Sequence, residues 1–342
     1  MTPTADPLEI IARVYTRAMK FKPLGRTGVQ VSELCFGTMS FGGDADEAMS
    51  AQMYQACRDA GINFFDCADQ YNKGKSEEIL GRLVKGHRDS LVLTTKCFNP
   101  SSDDINDRGT SRRHVTRAVE ASLRRLQTDR VDILFLHQYD ARTPLEESVR
   151  ALEDLVRSGK VLYPAVSNWS AWQTQRAVDL QERHDWARLQ LLQPMYNLVK
   201  RQAEVEILPM ALANGIGVIP YSPGAAGLLS GKYGGEASGR LKTNKMYEAR
   251  YGEPWVFEVA EKFVAFCRQR QLHPVSTAVA WVGAHPAITA PIIGARNLDQ
   301  LKDSLGAANV KMTPELRAEI AALSRTPPPA TDRLEELQPP KG

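Results

Sequence analysis

Four ionisable residues stand at or just beyond the ends of short apolar runs, where side chains from neighbouring strands of a sheet would meet. Asp66 ends one run and Tyr71 follows it in the next loop, while Lys96 and His137 come directly after two further runs. An ammonium group favours the phenolate and lowers the pKa of a neighbouring tyrosine from about 10, and a carboxylate keeps that ammonium charged. A nearby histidine can hydrogen-bond a substrate oxygen and orient it. Together these groups can protonate a carbonyl oxygen as it gains negative charge.

Each of these residues also has an ordinary structural explanation. A lone histidine at a strand end is more often a structural residue, and a lone aspartate there often caps the next helix. The convergence of four complementary side chains on successive strand ends favours a catalytic site instead.

The elements that must position these side chains alternate along the chain. Short runs with β-branched and aromatic residues are typical of strands buried on both faces, and they predict strands at residues 34–37, 62–66, 91–95, 131–136, 161–166, 189–193, 217–220 and 289–293. Between them, apolar residues recur at intervals of three and four and predict helices over residues 47–60, 76–85, 112–126, 144–158, 172–183, 204–214 and 255–270. Glycines suited to the position after a helix follow several of them, as at Gly61, Gly159 and Gly215.

Strands that alternate with helices predict an α/β protein with a parallel sheet. An open, doubly wound sheet is the rival architecture. Eight units with no sign of a second domain favour a closed (β/α)8 TIM barrel, in which functional groups lie at the carboxyl ends of the strands. The four ionisable residues fit that rule.

Three segments fall outside the repeat. Residues 1–18 read as an N-terminal extension, either a helical addition or a stretch upstream of a functional start at Met19. The barrel domain is predicted over residues 19–325, beginning with a β-hairpin around Gly25–Gly28 that could close its bottom, and residues 326–342 form a proline-rich tail. A long glycine- and lysine-rich loop at residues 224–252 is typical of a functional or mobile segment.

Composition excludes several classes of protein. The 342 residues include 43 Lys and Arg against 40 Asp and Glu, a net charge of +3 with no basic block, so no nucleic-acid partner is expected. No run of about 18 apolar residues exists and no secretory signal is evident, so we expect a cytoplasmic protein with no membrane partner. The scattered cysteines show no CxxC spacing and predict neither disulfides nor a metal site: Cys35, Cys57, Cys67, Cys97 and Cys267. The oligomeric state is not readable from the sequence.

Several short motifs, in order along nearly the whole chain, resemble those of the aldo-keto reductase family. They are Phe64-Phe65-Asp66-Cys67-Ala68-Asp69-Gln70-Tyr71, Ser76-Glu77-Glu78-Ile79-Leu80-Gly81, Thr94-Thr95-Lys96, Leu136-His137, Val166-Ser167-Asn168-Trp169, Tyr221-Ser222-Pro223 and Ile292-Ile293-Gly294-Ala295-Arg296. The family often has Thr in place of Cys67 and Gly in place of Asn72. Neither departure removes an ionisable group of the site.

The resemblance implies a (β/α)8 barrel that binds NADP(H) in extended form without a Rossmann domain, and no GxGxxG lies between a strand and a helix here. It implies that Tyr71 is the general acid, that Lys96 and Asp66 tune it, and that His137 orients the carbonyl group. The cofactor supplies the hydride, and the substrate is a small-molecule carbonyl compound or alcohol.

Cofactor contacts near the nicotinamide follow from the same resemblance. Ser167, Asn168 and Gln193 match residues that hydrogen-bond the carboxamide, and Tyr221 matches the aromatic residue that stacks on the ring. Gly37 and Thr38 match the loop that lines the nicotinamide ribose. Asp66 is also expected among the cofactor-binding residues.

The phosphate and adenosine contacts come from the last two strands. Ser222, Lys232 and Arg240 match groups that clamp the pyrophosphate. Gly294 belongs to the motif in which Arg296 pairs with the adenosine 2′-phosphate, and Gln300 contacts the adenosine. The planar fork of arginine offers paired donors to phosphate oxygens.

Two other functions compete with an NADPH-dependent carbonyl reductase. One is a nucleotide-sensing partner subunit, since channel β-subunits share this fold and retain the four residues. The other is a metal-dependent barrel hydrolase, which only six histidines and no HxH pair at a strand end disfavour. The reductase ranks first. Trp169 and Phe41 are expected to form an aromatic wall that favours flat or bulky carbonyl compounds.

Overall fold

A computed structural model describes residues 18–100, 102–233 and 245–337 of the chain. Its strands are Phe21–Pro23 (β1), Gln30–Ser32 (β2), Cys35–Gly37 (β3), Phe64–Asp66 (β4), Val92–Cys97 (β5), Val131–Leu136 (β6), Val161–Ser167 (β7), Leu191–Gln193 (β8), Gly217–Val218 (β9) and Ile292–Ile293 (β10). Its α-helices are Glu47–Asp59 (α1), Lys75–Leu83 (α2), Arg112–Leu126 (α3), Leu145–Arg157 (α4), Ala171–His184 (α5), Ile207–Asn214 (α6), Lys245–Tyr251 (α7), Pro254–Gln269 (α8), Pro274–Gly283 (α9), Leu298–Leu305 (α10) and Pro314–Ala321 (α11).

The strands β3 to β10 form one parallel sheet in the order β10-β3-β4-β5-β6-β7-β8-β9. Its two ends meet, because the Thr289 amide donates to the Val218 carbonyl and the Ile292 amide donates to the Pro220 carbonyl, both at 2.9 Å. The sheet is therefore closed, and the predicted (β/α)8 barrel is confirmed. All eight carboxyl ends open on the same mouth.

The predicted hairpin is also present, as β1 and β2 pair antiparallel. Leu24 and Val31, from the hairpin, are fully buried in a cluster with Phe64, Ile133 and Phe135, which point into the barrel from its strands. The hairpin thus plugs the end of the barrel opposite the mouth. A second, larger core fills the space between the strands and the surrounding helices.

Glycines after the helices behave as predicted. Gly61 and Gly159 adopt left-handed conformations with φ of 83° and 71° just beyond α1 and α4, where a side chain would be strained. The last strands are shorter than predicted, since β9 and β10 each contain two residues. The helices α7, α9, α10 and α11 were not predicted.

Some predictions fall on residues that the structure does not describe. The proposed extension lies outside the described ranges up to residue 17, as do residues 234–244 of the long loop, Arg240 among them, and residues 338–342 of the tail. Among the described helices, none is long and apolar enough to cross a membrane.

Candidate active site

The four predicted ionisable residues converge at the mouth of the barrel. Asp66 is the last residue of β4, Lys96 is the penultimate residue of β5, and His137 directly follows β6. These strands are neighbours, with Asp66 opposite Thr94 and Lys96 opposite Phe135. The strand order alone therefore brings the three groups to one side of the mouth.

The Lys96 ammonium is fully buried and uses each of its three hydrogens. It donates to Asp66 Oδ2 at 2.6 Å, to the Cys67 carbonyl at 2.7 Å and to Tyr71 Oη at 3.0 Å. Because an ammonium has three donors and no acceptor, this coordination fixes its direction. Burial alone would lower the pKa of Lys96, but attraction to Asp66 and Tyr71 raises it above its usual value. Lys96 remains charged.

Asp66 is held as firmly as its cationic partner. Its other oxygen, Oδ1, accepts from Thr94 Oγ1 at 2.7 Å and from Gln193 Nε2 at 3.0 Å. A buried carboxylate is tolerated only when it is paired and hydrogen-bonded, and both conditions are met here. The bond to Gln193 also connects the carboxylate to the opposite side of the barrel, since Gln193 ends β8.

Tyr71 has its proton available for a ligand. Lys96 can only donate, so Tyr71 Oη accepts from it, and the phenolic hydrogen is left to point elsewhere. Burial raises the pKa of Tyr71 to about 12, although Lys96 lowers it. The sequence predicted the direction of the Lys96 effect, but desolvation outweighs it, so the net shift is opposite to the expected one. Tyr71 is a phenol, not a phenolate, near neutral pH.

A strained loop fixes Tyr71 in place. Tyr71 is the first residue of a short 3₁₀ turn, Tyr71–Gly74. In this turn Asn72 and Lys73 have left-handed φ angles of 49° and 58°. Asn72 Nδ2 donates to the carbonyls of Met39 and Phe41 at 2.9 and 2.8 Å. Asparagine tolerates this conformation better than most residues, so it can occupy this position of the turn.

His137 is fixed through its backbone and through its ring. Its amide donates to the Cys97 carbonyl at 3.0 Å, and its carbonyl accepts from Asn168 Nδ2 at 2.9 Å. The ring lies edge-on to the Tyr71 ring, with centroids 6.3 Å apart, and its Nδ1 is 3.3 Å from Gln70 Nε2. Burial, with a smaller effect of Lys96, lowers the pKa of His137 to about 3. The imidazole is therefore neutral.

The residues expected at the nicotinamide carboxamide form one connected group beside Asp66. Ser167 Oγ donates to the Gln193 carbonyl, and Tyr221 Oη donates to Asn168 Oδ1 at 2.8 Å. Gln193 Oε1 has no partner among the described residues, and it can accept a hydrogen bond from a carboxamide NH₂. Asn168 and Ser222 have left-handed φ angles of 58° and 57°. Such backbone strain clusters at ligand sites.

The two residues expected to line the nicotinamide ribose, Gly37 and Thr38, pack closely against neighbouring elements. Gly37 ends β3 against Asp66, and a side chain there would meet Ile292 Cγ2 at 2.8 Å. Thr38 is fully buried, and its hydroxyl bonds to the Asp66 carbonyl at 3.0 Å and to Ser76 Oγ at 2.8 Å. Its hydroxyl therefore holds two elements together and does not face the mouth.

The candidate phosphate-binding residues lie in the segments that follow β9 and β10. Lys232 packs over Gly227, in the turn that follows β9 and Ser222. Arg296 is half-buried at the start of α10, where its guanidinium is 4.0 Å from Asp44 and its amide donates to Gln300 Oε1 at 3.2 Å. Gly294 is exposed just after β10.

The expected aromatic wall is wrong, because both of its residues are buried. Phe41 is fully buried and packs against Phe36, because the chain turns inward after Thr38. Trp169 is also buried, and it lies edge-on to Tyr139, with centroids 5.2 Å apart. Tyr139 in turn contacts Trp172, which is 59% exposed. The half-buried Tyr139 and the exposed Trp172 therefore form the accessible aromatic surface of this group. Sequence reasoning missed them because side-chain direction decides which rings are accessible.

Comparisons with known proteins agree with this architecture. The profile of the aldo/keto reductase family matches residues 33–325. A Bacillus subtilis protein named "uncharacterized oxidoreductase YrpG" is 39% identical over 309 residues, which cover 87% of this chain and 94% of the relative. A probable voltage-gated potassium channel subunit beta of Oryza sativa is 34% identical, with 92% and 99% covered. Versiconal hemiacetal acetate reductase of Aspergillus parasiticus is 32% identical, with 87% and 94% covered.

The match extends over the barrel strands and the helices that follow them, and two of these relatives carry reductase or oxidoreductase names. With its closed barrel, its clustered ionisable residues and these similarities, the chain belongs to the aldo/keto reductase family of oxidoreductases.

Proposed function

We propose that this protein reduces an aldehyde or ketone with NADPH, and oxidises the corresponding alcohol in reverse, with Tyr71 as the general acid. The observation that carries the proposal is the buried chain Asp66–Lys96–Tyr71, with bonds of 2.6 and 3.0 Å. It holds a phenol proton at the mouth of the barrel beside a neutral histidine. The bound cofactor supplies the hydride.

The residues of this chain then act on the oxygen of the substrate. His137 donates a hydrogen bond that orients the carbonyl oxygen, and Tyr71 transfers its proton to that oxygen as negative charge develops. The Lys96 ammonium, 3.0 Å from Tyr71 Oη, stabilises the phenolate that remains. Asp66 keeps Lys96 charged and aimed. Asn168, Gln193 and Tyr221 would hold the nicotinamide beside these groups.

Arg296 is proposed to select NADPH over NADH. Arg296→Ala is expected to weaken NADPH binding about ten- to hundredfold, because it removes a charge-assisted hydrogen bond to the 2′-phosphate, and to leave NADH binding nearly unchanged. Fluorescence titration with each cofactor measures both dissociation constants. Arg82→Ala, which removes a surface arginine paired with Glu47, is the control. Equal losses for NADPH and NADH would remove Arg296 from the 2′-phosphate site.

The pH dependence of the reaction should differ between its two directions. With the pKa of Tyr71 at about 12 and that of His137 at about 3, reduction requires no ionisation of these groups near neutrality. We expect kcat/KM for reduction of a neutral ketone to be flat from about pH 5 to pH 9. Alcohol oxidation requires the phenolate as base, so its kcat/KM should rise about tenfold for each pH unit over the same range.

One neighbouring group provides the control for that experiment. Asp69 is buried beside β5, and burial raises its pKa to about 7, with Glu77 adding to the shift. Its amide donates to the Lys96 carbonyl at 3.1 Å. An inflection near neutral pH in reduction that Asp69→Asn abolishes would show that Asp69, not Tyr71, sets the profile, and would contradict the prediction.

The substrate is proposed to carry a flat or bulky apolar group. Tyr139 lies two residues after His137 and joins the exposed Trp172, whose ring centroid is 5.9 Å away. Aromatic rings bind flat apolar groups through large contact areas at low entropic cost.

A second function is favoured by the similarity to plant potassium channel β-subunits. In that case the protein binds NADP(H) tightly and reports its redox state to a partner. Following NADPH consumption with a panel of aldehydes and bulky ketones, with NADH in parallel, separates the two functions. Turnover with NADPH supports the reductase. Tight binding with no turnover of any carbonyl compound favours the sensor, and no binding contradicts both.

A further inference from the structure

Gln70 touches the ring of His137, and this contact has a consequence for the proton on that ring. Gln70 Nε2 lies 3.3 Å from His137 Nδ1. With the amide nitrogen of Gln70 on this side, Gln70 donates the hydrogen bond and Nδ1 accepts it. A neutral imidazole with an accepting Nδ1 carries its single proton on Nε2.

Among the described residues, no hydrogen bond other than that of Gln70 reaches the ring of His137. The backbone bonds of His137 to Cys97 and Asn168 fix the position of the residue, but they do not touch the ring nitrogens. Among the described residues, Nε2 has no hydrogen-bond partner, so it is available to a ligand. Within the described part of the chain, the hydrogen bond with Gln70 is therefore the contact that determines which ring nitrogen carries the proton.

We propose that Gln70 is a positioning residue that holds His137 as the Nε2–H tautomer, so that the imidazole donates a hydrogen bond to the carbonyl oxygen of the substrate. The inference rests on the proposed function, in which His137 orients that oxygen. In the other tautomer an Nε2 lone pair would face the oxygen lone pairs and repel them. Since His137 remains neutral near pH 7, tautomer and not charge decides between attraction and repulsion.

Gln70→Glu tests the inference because it reverses the hydrogen bond at nearly constant size. A carboxylate only accepts, so it binds an Nδ1–H and leaves Nε2 unprotonated. We expect kcat/KM for reduction to fall about a hundredfold at pH 8, as when one donor to a developing oxyanion is lost, with the NADPH dissociation constant unchanged. Activity should recover as the pH falls and the imidazolium, with protons on both nitrogens, forms. The other titratable groups around this ring, Tyr71 and Lys96, keep their protons in that range.

The tautomer itself is measured by ¹⁵N NMR of histidine-labelled protein, with the signals of His137 assigned by their absence in His137→Gln. The wild type should show a protonated Nε2, and Gln70→Glu a protonated Nδ1. Gln70→Leu removes the donor without replacing it, so a mixture of tautomers and an intermediate rate are expected. Gln138→Glu places the same charge at the exposed next residue along the chain and should keep the wild-type tautomer.

The outcomes separate this inference from the proposed function. A wild-type His137 with its proton on Nδ1 overturns the role of Gln70, whatever the activity. The same tautomer in wild type, Gln70→Glu and Gln70→Leu also overturns it, as does an equal change of the pH profile in Gln70→Glu and Gln138→Glu. If no carbonyl compound is reduced, the proposed function fails, while the tautomers of the four proteins still decide whether Gln70 sets the proton position.

Discussion

Tyr71→Phe should lower kcat for NADPH-dependent reduction by about 10²–10⁴-fold, the usual range for loss of a positioned general acid. The substitution removes the hydroxyl that accepts from Lys96 at 3.0 Å and that we propose as the proton donor to the substrate oxygen. The ring itself remains, with its packing against the edge of His137. Cofactor affinity should be nearly unchanged, because the residues proposed at the nicotinamide are held by their own bonds, such as Tyr221 to Asn168.

Single-turnover measurements of NADPH oxidation give the rate of the chemical step, and cofactor fluorescence gives the dissociation constant. Tyr54→Phe is the matched control, since it removes a buried tyrosine hydroxyl that bonds to His87 away from the mouth. A Tyr71→Phe protein that retains turnover within about threefold of wild type would exclude Tyr71 as the acid. Loss of NADPH binding in that variant would instead indicate a damaged site.

The sequence predicted the part of the fold that depends on periodicity. Strands such as Val131–Leu136 contain short apolar runs, and their carboxyl ends locate Asp66, Lys96 and His137 because parallel strands bring these ends together. The helix Pro274–Gly283 was missed for a physical reason. Its buried residues include the consecutive positions 276–279, which cover all sides of a helical turn, so no amphipathic stripe marks it. The short helices α10 and α11, of eight residues each, were missed as well.

Site residues were predictable where they lie at the end of a strand. They were not predictable where the direction of the side chain decides whether a residue faces the mouth. Thr38 was expected at the mouth, but its hydroxyl turns inward to Ser76. Phe41 was expected in the substrate wall, yet it is buried. Gln70 was not singled out, because an amide at a loop position carries no signal until the histidine it contacts is known. Contacts across the barrel, such as Gln193 to Asp66, join residues 127 positions apart and need the closed sheet.

The same buried network connects the proposed acid to the proposed cofactor site. Asp66 bonds both to Lys96 and to Gln193, so the acid–base group and the proposed nicotinamide site form one connected unit. A protein that binds the cofactor therefore retains most of the hydrogen bonds that catalysis uses. Turnover is consequently the discriminating measurement, and cofactor binding alone is not.

Lys96→Met should abolish reduction and also destabilise the protein, and the second effect is the stronger test of the buried network. The variant leaves the carboxylate of Asp66, which is 2% exposed, without its cation, and it leaves the carbonyl of Cys67 without a donor. Breaking a buried ion pair on one side costs about 3–5 kcal/mol in free energy of unfolding, because an uncompensated charge stays buried. Urea denaturation at pH 7 measures this loss, and single-turnover kinetics measure the loss of activity.

The double variant Asp66→Asn/Lys96→Met separates charge burial from lost packing. An amide at position 66 can still accept from Thr94 Oγ1 with its oxygen, and no unpaired charge remains in the barrel. We therefore expect the double variant to be more stable than Lys96→Met alone and still inactive, because the stabilising ammonium beside Tyr71 is absent. If the two variants are equally unstable, the cost lies in the cavity left by the lysine stem. In that case Asp66 and Lys96 would position Tyr71 by packing and not by the charge of Lys96, contrary to the role proposed here.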